Sequence, residues 1–563
     1  MKSLIVVGLT LVPALLWLAA PSEAIGQESP GPWRSPALGA HGAVTAEHPL
    51  AAQTGLDILR AGGNAVDAAI AMAGVMAVVR PHMNGLGGDA FLLVYSAKDG
   101  KVYGLNGSGR AGSRANAATL RARRLSRIPV TGIESVTVPG AVSAWQAALQ
   151  RFGSRTLSAL LDPAVQLAFG GFPVSSVLQE DLRGAEALIR RDPGLAAVFL
   201  PGGQLPREGD LLVQQQLGTS LRAVAASGGE ALYRGELATA LAAYFSEQGG
   251  YVTAEDLAAQ HAEWVEPIST TWRGLEVVAL PPNTQGVALL EMLNILETFD
   301  LERIGAGSVD YWHLLIEAKK LAFADRDAHV AEPSTYDAPL DSLLSKTYAL
   351  RRAERINLER AAAEVAPGQP RGLDDDTVVC TAVDIQGNMV VLIQSLFNTF
   401  GSGLMAGDTG IVLQNRGALF SLEAGHPNEL KAGHRPYHTL CPTILLREGS
   451  PVLGLATPGG DGQVQTIVQV LDRWQMFGYD IQSAVEAPRF RSYDGLEVRL
   501  EDGAGLEVIN GLEKLGHQLR LIPTGRNADF GGAQGIVVLR RAGRAPVYLA
   551  GADPRREAVA LAW

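Results

Sequence analysis

The alternation of apolar and polar positions predicts a strand and two helices near the start of the chain. A strand-like segment, Gly42–Ala46, is followed by apolar residues that recur at helical spacing from Leu50 to Arg60. A glycine pair ends that helix, and Asn64 can cap the next one, Ala65–Val79. A glycine-rich turn then leads into a predicted strand, Ala90–Tyr95. The pattern therefore predicts two neighbouring helices followed by sheet.

Helical spacing dominates the middle of the chain. Several prolines, among them Pro163, are expected to interrupt the helices between residues 140 and 299. Longer helices are predicted at Leu289–Leu296 and Val309–Asp325. A charged helix is predicted from Arg351 to about Val365. This region therefore predicts a largely α-helical layer.

The pattern changes to period two after Thr377. Residues 366–376, rich in proline and glycine and ending in three aspartates, predict an exposed linker that can be cut. Strands are predicted at Val378–Val383 and Met389–Gln394, with a turn at residues 386–388. If the chain were cut before Thr377, its new α-amino group, with an ordinary pKa of about 7.7 to 8.0, could take the proton of its own hydroxyl. The alternative interpretation is an ordinary β-branched strand residue.

Composition and charge limit the kind of partner. The 563 residues include 47 basic and 58 acidic side chains, a formal net charge of −11. An acidic chain without a concentrated basic face is a poor match for nucleic acid or an anionic membrane surface. Cys380 and Cys441 are the only cysteines. They predict neither a disulfide framework nor a zinc site, and we expect both to be small buried residues.

The first residues have the features of a secretory signal peptide. Met1-Lys2 gives a positive start, Leu4–Ala20 is apolar, and residues 22–24 form a small-x-small cleavage pattern. We therefore expect residues 1–24 to be removed. The mature protein is expected to be exported, either periplasmic or secreted, with no stable membrane anchor.

Several short motifs are spread over both halves of the chain. In chain order they include His48-Pro49-Leu50-Ala51, Gly62-Gly63-Asn64-Ala65, Thr253-Ala254-Glu255-Asp256-Leu257, Pro281-Pro282-Asn283-Thr284-Gln285-Gly286, Asp376-Thr377, Thr399-Phe400-Gly401-Ser402-Gly403, Pro458-Gly459-Gly460 and Asp553-Pro554-Arg555. Each motif is weak alone. Together, in this order, they cover most of the chain after the leader, which resembles the γ-glutamyltransferase family of N-terminal nucleophile hydrolases.

The resemblance implies an α/β (α+β) fold, a four-layer αββα sandwich made as one precursor. It also implies self-cleavage between Asp376 and Thr377. Residues 25–376 would become a large subunit and residues 377–563 a small subunit, and both subunits would belong to one αββα domain.

The resemblance also implies roles for individual residues. Thr377 would be the nucleophile and Ser395 the hydroxyl that hydrogen-bonds it. Gly459 and Gly460 would present backbone N–H groups as an oxyanion hole, where a side chain would obstruct close approach. The alternative for the glycine pair is a tight turn, and both can hold.

The positions expected to bind substrate depart from the family pattern. Ser108 stands where the family has a carboxylate-binding arginine, and Leu419 where it has an acidic residue for the substrate's α-amino group. Phe397 replaces an asparagine, and His438 and Thr439 replace a pair of serines. A pocket with leucine in place of a carboxylate binds a free ammonium less strongly, because an unpaired buried charge is costly.

Arginines near these positions are candidates for binding a substrate carboxylate. Arg110 lies two residues beyond the family position, and Arg416 and Arg435 are further candidates. Each offers a guanidinium fork that matches a carboxylate. We therefore predict Arg110, Arg416, His438 and Thr439 as substrate-binding residues.

Three functional hypotheses follow. The first is a self-processing hydrolase or transferase of γ-glutamyl amides such as glutathione, through a γ-glutamyl-enzyme ester. The second, favoured by Ser108, Phe397 and Leu419, is an amidohydrolase or acylase for another carboxylate-bearing amide, as in the oxamate amidohydrolase and cephalosporin acylase branch. The third is an exported binding protein without catalysis. No cofactor fingerprint or familiar metal-ligand spacing occurs, so neither a cofactor nor a metal is predicted.

Overall fold

The computed structural model describes residues 34–365, 376–525 and 527–563. Its first two helices, Pro49–Arg60 and Ala65–Val79, confirm the predicted pair. Asn64 caps the second helix by accepting a hydrogen bond from the Asp67 amide, and the Asp67 carboxylate accepts one from the Asn64 amide. This capping box satisfies two N–H groups that a helix start otherwise leaves unpaired. The local sequence thus fixes where the helix begins.

Seven strands form the sheet that contains Thr377, the Thr377 sheet. In spatial order they are Val559–Ala562, Ala43–Ala46, Asp376–Val383, Met389–Phe397, Asp89–Ser96, Lys101–Gly107 and Glu263–Val265. All neighbouring strands are antiparallel. The predicted hairpin is confirmed, since Val379 pairs with Ile393 and Asp384 accepts a hydrogen bond from the Asn388 amide at 3.0 Å across the turn. Thr377 lies near the start of a central strand, as predicted.

A second set of seven antiparallel strands forms the companion sheet. In spatial order they are Ala37–Gly39, Val547–Ala552, Gln534–Leu539, Ser450–Ala456, Thr443–Arg447, Leu275–Ala279 and Ile268–Trp272. Two smaller sheets contain Phe490–Ser492, Glu497–Glu501 and Gln518–Ile522, and Phe172–Pro173 and Leu211–Leu212.

The remaining α-helices of the described residues lie before, between and after these strands. Beyond the first two they are Ala117–Ala122, Ala141–Phe152, Leu157–Gly170, Ser176–Ile189, Pro193–Phe199, Gln215–Ala226, Glu230–Tyr233, Glu236–Glu247, Ala254–Ala259, Gly286–Leu296, Leu301–Ile304, Val309–His329, Leu340–Leu343, Lys346–Ala353, Gly462–Gln475, Ile481–Glu486 and Leu506–Lys514.

Two expectations about helices are wrong. Pro163 lies inside the helix Leu157–Gly170 instead of interrupting it. Proline removes one backbone hydrogen bond, but this helix buries Leu160 and Ala164 in the core, and tertiary packing supplies most of a helix's stability. The charged helix expected to reach about residue 365 ends at Ala353, because the charged residues that follow present no continuous apolar face for packing.

Buried hydrophobic clusters lie on both faces of the large sheets. Phe91 of the Thr377 sheet and Ile444 of the companion sheet belong to one cluster, which joins the two sheets. The next residue, Leu92, points to the opposite face and packs in a cluster with the helix Ala65–Val79. A third cluster packs the helix Val309–His329 and its neighbours with residues of the companion sheet. The fold is therefore α+β, as predicted.

Some expectations lie outside the described residues. These are the signal peptide at residues 1–24 and the linker before Thr377, apart from the backbone of Asp376. Within the three described ranges, no helix has the length and apolar character needed to cross a membrane. Cys380 and Cys441 are both buried and unbridged, as expected.

Gly109 allows two backbone segments to run in close contact beside the Thr377 sheet. The Arg110 carbonyl accepts a hydrogen bond from the Val138 amide at 3.0 Å. A Cβ atom on Gly109 would lie 1.6 Å from the Val138 carbonyl oxygen, far inside contact distance. The chain therefore needs glycine here to carry its backbone past residue 138.

Substituting Gly109→Ala should destabilise the fold by about 3 kcal/mol or more, because the clash involves backbone that cannot rotate away. Gly184→Ala is the matched control, since Gly184 lies in a helix and nothing lies within 4 Å of its added Cβ. The control should gain about 0.5–1 kcal/mol. Urea unfolding followed by circular dichroism measures both changes, and equal stability of the two variants would contradict the prediction.

Candidate active site

Thr377 lies at a β-bulge. The register shifts between Asp376 and Val378, so that Ser395 and Leu396 together oppose Thr377 on the neighbouring strand. Bulges re-aim side chains and are common beside active sites. Thr377 is buried, and its Oγ1 atom lies 3.2 Å from Ser395 Oγ in a hydrogen bond. The fold therefore brings together the two hydroxyl groups that the sequence pointed to.

Two nitrogen donors also bond Ser395 Oγ. The Phe397 amide donates to it at 2.7 Å, and Arg416 Nη2 donates to it at 3.1 Å. Phe397 adopts a φ of 85°, a left-handed backbone conformation that is costly for an aromatic residue. Strain of this kind is concentrated at functional sites. Here it occurs in the residue whose amide binds the Ser395 hydroxyl.

Arg416 places a fully buried positive charge beside these hydroxyl groups. Its Nη1 atom donates to Thr439 Oγ1 at 3.0 Å, and its Cζ atom lies 4.3 Å from the centre of the Phe397 ring. A guanidinium removed from water needs such acceptors and ring contacts, because an unsolvated charge is costly. Of the predicted substrate-binding residues, Arg416 and Thr439 are thus joined to Ser395.

His438 lies behind this group and is neutral. Burial and the charge of Arg416 hold its pKa well below the ordinary value. Its Nδ1 atom accepts a hydrogen bond from the Leu440 amide at 3.4 Å, so Nε2 carries the proton and donates to Asp89 Oδ2 at 3.2 Å. Burial raises the pKa of Asp89 to about 7, although Arg416 opposes the shift. His438 and Asp89 are therefore joined by a hydrogen bond in which the imidazole is uncharged, and this bond positions His438.

Gly459 and Gly460 have φ values of 117° and 48°, conformations that favour glycine. Neither amide donates a hydrogen bond within the described part of the chain. Gln285 Nε2 lies 2.9 Å from the Gly460 carbonyl oxygen and 2.5 Å from that of Thr439. Two adjacent N–H groups can form an oxyanion hole. A series of hydrogen-bonding residues connects the glycine pair to Thr377, namely Gln285, Thr439, Arg416 and Ser395.

Arg110 and Arg435 belong to an ion-pair cluster. Arg110 Nη2 lies 2.9 Å and Arg435 Nη2 2.6 Å from the same oxygen of Glu263. Glu332 approaches both arginines, at 3.5 Å and 3.7 Å. Burial alone would raise the pKa of Glu263, but hydrogen bonds and charge from Arg435 and Arg110 lower it to about 2. The predicted substrate binder Arg110 is therefore already paired with carboxylates.

Ser108 and Leu419 mark the places where the family pattern has an arginine and an acid. Ser108 is buried and accepts a hydrogen bond from Asn283 Nδ2 at 3.3 Å. Leu419 is half-buried and lines a cavity of about 1090 Å³. Tyr437 and Asp461 also line this cavity, with the tyrosine hydroxyl donating to Asp461 Oδ1 at 3.0 Å. The cavity therefore extends from Leu419 to Asp461, the residue that directly follows the glycine pair.

Sequence reasoning assigned no role to three polar residues behind the site. Asp89 bonds His438, Asn283 bonds Ser108 and the Pro436 carbonyl, and Gln285 bonds the loops on either side. Asn283 and Gln285 belong to a motif already noted in the sequence, which was the available signal. Their partners lie 150 or more positions away, so their contacts required the fold.

Glu263→Gln should lower stability at neutral pH and reduce the loss of stability in acid. The folded pKa of Glu263 is lowered from 4.5 to about 2. Its ionised form therefore stabilises the fold above the unfolded pKa, and that contribution disappears as the pH falls through the folded value. Glu266→Gln is the control, because Glu266 is 78% exposed in its pair with Lys101. Thermal unfolding between pH 7 and pH 2 gives the comparison, and identical pH profiles for both variants would refute it.

Known proteins resemble this chain along most of its length. The glutathione hydrolase-like YwrD proenzyme of Bacillus subtilis is 38% identical over 532 residues, covering 93% of this chain and 99% of that protein. The oxamate amidohydrolase proenzyme of Klebsiella pneumoniae is 35% identical, covering 88% and 93%. The crystal structure of cephalosporin acylase from Bacillus halodurans superposes with a TM-score of 0.88 at 39% identity, covering 95% and 98%.

These relatives match the divergent branch that the sequence motifs resemble. They are named as hydrolases and acylases, so the hypothesis of a binding protein without catalysis is not supported. The sequence model described as gamma-glutamyltranspeptidase matches residues 51–563. The chain therefore belongs to the gamma-glutamyltranspeptidase family and is an amide-cleaving enzyme.

Proposed function

We propose that the chain is a precursor that cuts itself between Asp376 and Thr377 and then uses Thr377 as an N-terminal nucleophile. The observation that carries this proposal is the 3.2 Å hydrogen bond between the buried Thr377 and Ser395 hydroxyls at the start of a central strand. Relatives named as proenzymes support it. After loss of residues 1–24 during export, residues 25–376 and 377–563 become the two subunits.

The same proposal includes the layered architecture. One hydrophobic cluster joins the two large sheets, and two others pack helices on the remaining faces. We infer an αββα sandwich shared by both subunits. In such a fold the two halves of the precursor stay together after cleavage, because their strands alternate within one sheet: Ala43–Ala46 lies between Asp376–Val383 and Val559–Ala562.

Self-cleavage begins when Thr377 Oγ1 attacks the carbonyl carbon of Asp376. The C–N bond of the peptide breaks as the ester forms, which frees the Thr377 amino group. Water then hydrolyses the ester to the Thr377 hydroxyl and the Asp376 carboxylate. During turnover the amino group takes the hydroxyl proton, the oxygen attacks the substrate amide, and the leaving amine receives that proton. Water or an acceptor amine then resolves the acyl ester.

Ser395 and the glycine pair assist this chemistry in the proposal. The Arg416 guanidinium and the Phe397 amide both donate to Ser395 Oγ, and so they hold this oxygen in place beside Thr377 Oγ1. The Gly459 and Gly460 amides would stabilise the negative charge that develops on the substrate carbonyl oxygen. Removing one such donor typically costs about 100- to 1000-fold in kcat.

The substrate in this proposal is an amide whose acyl group bears a carboxylate. Arg416 donates directly to the Ser395 hydroxyl, which in turn bonds Thr377, whereas Arg110 and Arg435 are paired with Glu263. Leu419 presents an apolar wall where an ammonium-binding acid is expected. This observation favours acyl groups without an α-amino group, such as glutaryl or oxalyl groups.

A γ-glutamyl amide such as glutathione is the second candidate. It differs from a glutaryl amide only by an α-ammonium group, which needs a carboxylate partner when it is buried. Asp461 lines the same cavity as Leu419 and would supply one by exchanging its ion pair with Arg326, 2.8 Å away, for the ammonium. The glutathione hydrolase-like relative supports this candidate at the level of the family.

Thr377→Ala should abolish self-cleavage, because the variant lacks the attacking oxygen. Wild type should yield a fragment that begins at Thr377, and Thr377→Ser should cleave and keep partial activity, since serine retains the hydroxyl. Intact-mass spectrometry of the purified proteins identifies the fragments. A wild-type protein that remains one uncut chain, while folded by circular dichroism, would disprove the proposal.

Leu419→Asp should shift preference toward γ-glutamyl substrates. Glutaryl-p-nitroanilide and γ-glutamyl-p-nitroanilide form a matched pair that differs only in the α-amino group. Wild type should favour the glutaryl compound. The variant should raise the γ-glutamyl to glutaryl ratio of kcat/KM by about tenfold or more, because the new carboxylate pairs with the substrate ammonium that otherwise lies against an apolar wall.

Leu419→Asn is the control, because it is the uncharged match of Leu419→Asp. If wild type prefers the γ-glutamyl compound, or if the Asp and Asn variants change the ratio equally, the assignment of Leu419 is wrong.

A further inference from the structure

Two histidines and a glutamate converge at a site distant from Thr377 in the sequence. His313 and Glu317 lie four residues apart on the helix Val309–His329 and therefore face the same side. His517 follows the helix Leu506–Lys514. One nitrogen or oxygen from each of the three side chains lies within 4.8 Å of the others, and all three residues are at least 97% buried.

The hydrogen bonds fix how the two imidazole rings are protonated. His313 Nε2 lies 2.8 Å from the Asn357 carbonyl oxygen, which can only accept, so Nε2 carries the proton and Nδ1 presents a lone pair. His517 Nε2 lies 2.8 Å from that Nδ1 atom and donates to it. Among the described residues, His517 Nδ1 has no hydrogen-bond partner although it is buried.

The second hydrogen bond of His313 and the protonation of His517 are both typical of metal-binding histidines. A ligating histidine usually donates its second ring nitrogen to a carbonyl or carboxylate, as His313 does to Asn357. His517 bears a ring proton on Nε2, and a neutral imidazole with one unprotonated ring nitrogen is the form that binds metals. Two imidazoles and one carboxylate are a donor set that suits zinc, with a fourth position for water.

We propose that His313, Glu317 and His517 form a binding site for a divalent transition metal, with zinc as the best match.

Lys320 occupies the place of the cation in the metal-free arrangement. Its Nζ atom lies 2.7 Å from Glu317 Oε1 and 2.8 Å from the Ala362 carbonyl oxygen. Lys320 and Ala362 both line the large cavity, which gives the metal an entry path and the displaced lysine a place to move. Metal binding is thus an exchange of one ammonium for one dication at Glu317.

Only a small rearrangement is needed at the histidines. Two nitrogens bound to one tetrahedral zinc, at bond lengths of about 2.0–2.1 Å, lie about 3.4 Å apart. His313 Nδ1 and His517 Nε2 are 2.8 Å apart, so the rings must separate by roughly half an ångström. The His517 proton moves to Nδ1, the atom that has no partner without metal.

The site would join segments on either side of the cleavage point. His313 and Glu317 precede Thr377 in the sequence and His517 follows it. If the proposed self-cleavage occurs, a bound metal would link the two subunits. Metal binding itself does not depend on cleavage and can be tested in the uncut Thr377→Ala protein.

The test uses untagged full-length protein, freed of metal with a chelator and titrated with Zn²⁺ against a chromogenic competitor, and with Co²⁺ by visible absorption. Wild type should bind one equivalent of metal, and Co²⁺ should give the intense bands of four-coordinate cobalt. His517→Gln should weaken binding by about 100-fold. His329→Gln is the matched control, since His329 lies on the same helix and bonds Tyr336 instead.

Lys320→Met should tighten zinc binding by about tenfold, because it removes the competing cation. A purely structural hydrogen-bond network predicts no such gain. The proposal is overturned if neither wild type nor the Lys320→Met variant binds a stoichiometric metal ion, or if His517→Gln and His329→Gln bind zinc equally well.

Discussion

The buried charge of Arg416 is the constraint on which the candidate active site depends. Its guanidinium contacts Ser395, Thr439 and the Phe397 ring, so it connects the strand behind Thr377 to the loop after His438. Removing one of these partners is expected to lower the free energy of unfolding by about 3–5 kcal/mol, because the Arg416 charge then stays buried without that partner. Phe397 and Arg416 therefore act together, because the aromatic ring stabilises the guanidinium that donates a hydrogen bond to the Ser395 hydroxyl.

In the proposed mechanism, the residues that break the amide bond are separate from those that select the substrate. Thr377, Ser395 and the glycine pair are held by backbone geometry, namely a bulge, a strained φ at Phe397 and two left-handed glycines. Leu419 lies instead on a cavity wall, where its side chain contributes to no hydrogen bond. A change at the wall alters which acyl group is stabilised and leaves the nucleophile's geometry intact. This separation explains how relatives of similar sequence carry the names of hydrolases for different amides.

The sequence predicted local elements well where one strong local rule acted. The helix Ala65–Val79 has the predicted bounds because Asn64 caps it. Pro163 misled because tertiary packing outweighed a local rule. The proximity of Thr377 and Ser395 came from the family resemblance. Only the fold shows that Arg110 pairs with Glu263 while Arg416 donates to Ser395. The contact between His313 and His517, which are 204 positions apart, also could not be predicted from the sequence.

If the proposed cleavage frees the Thr377 amino group, the electrostatics around it favour an amine that acts as a base. Arg416 is joined to Thr377 through the Ser395 hydroxyl, and a positive charge nearby disfavours protonation of an α-amino group. His438 adds no charge because it is neutral. Asp89 opposes Arg416 only when ionised, and burial raises its pKa to about 7. The protein thus keeps a permanent cation and a conditional anion near the nucleophile, so that the balance between them changes with pH in the range where an N-terminal amine must lose its proton.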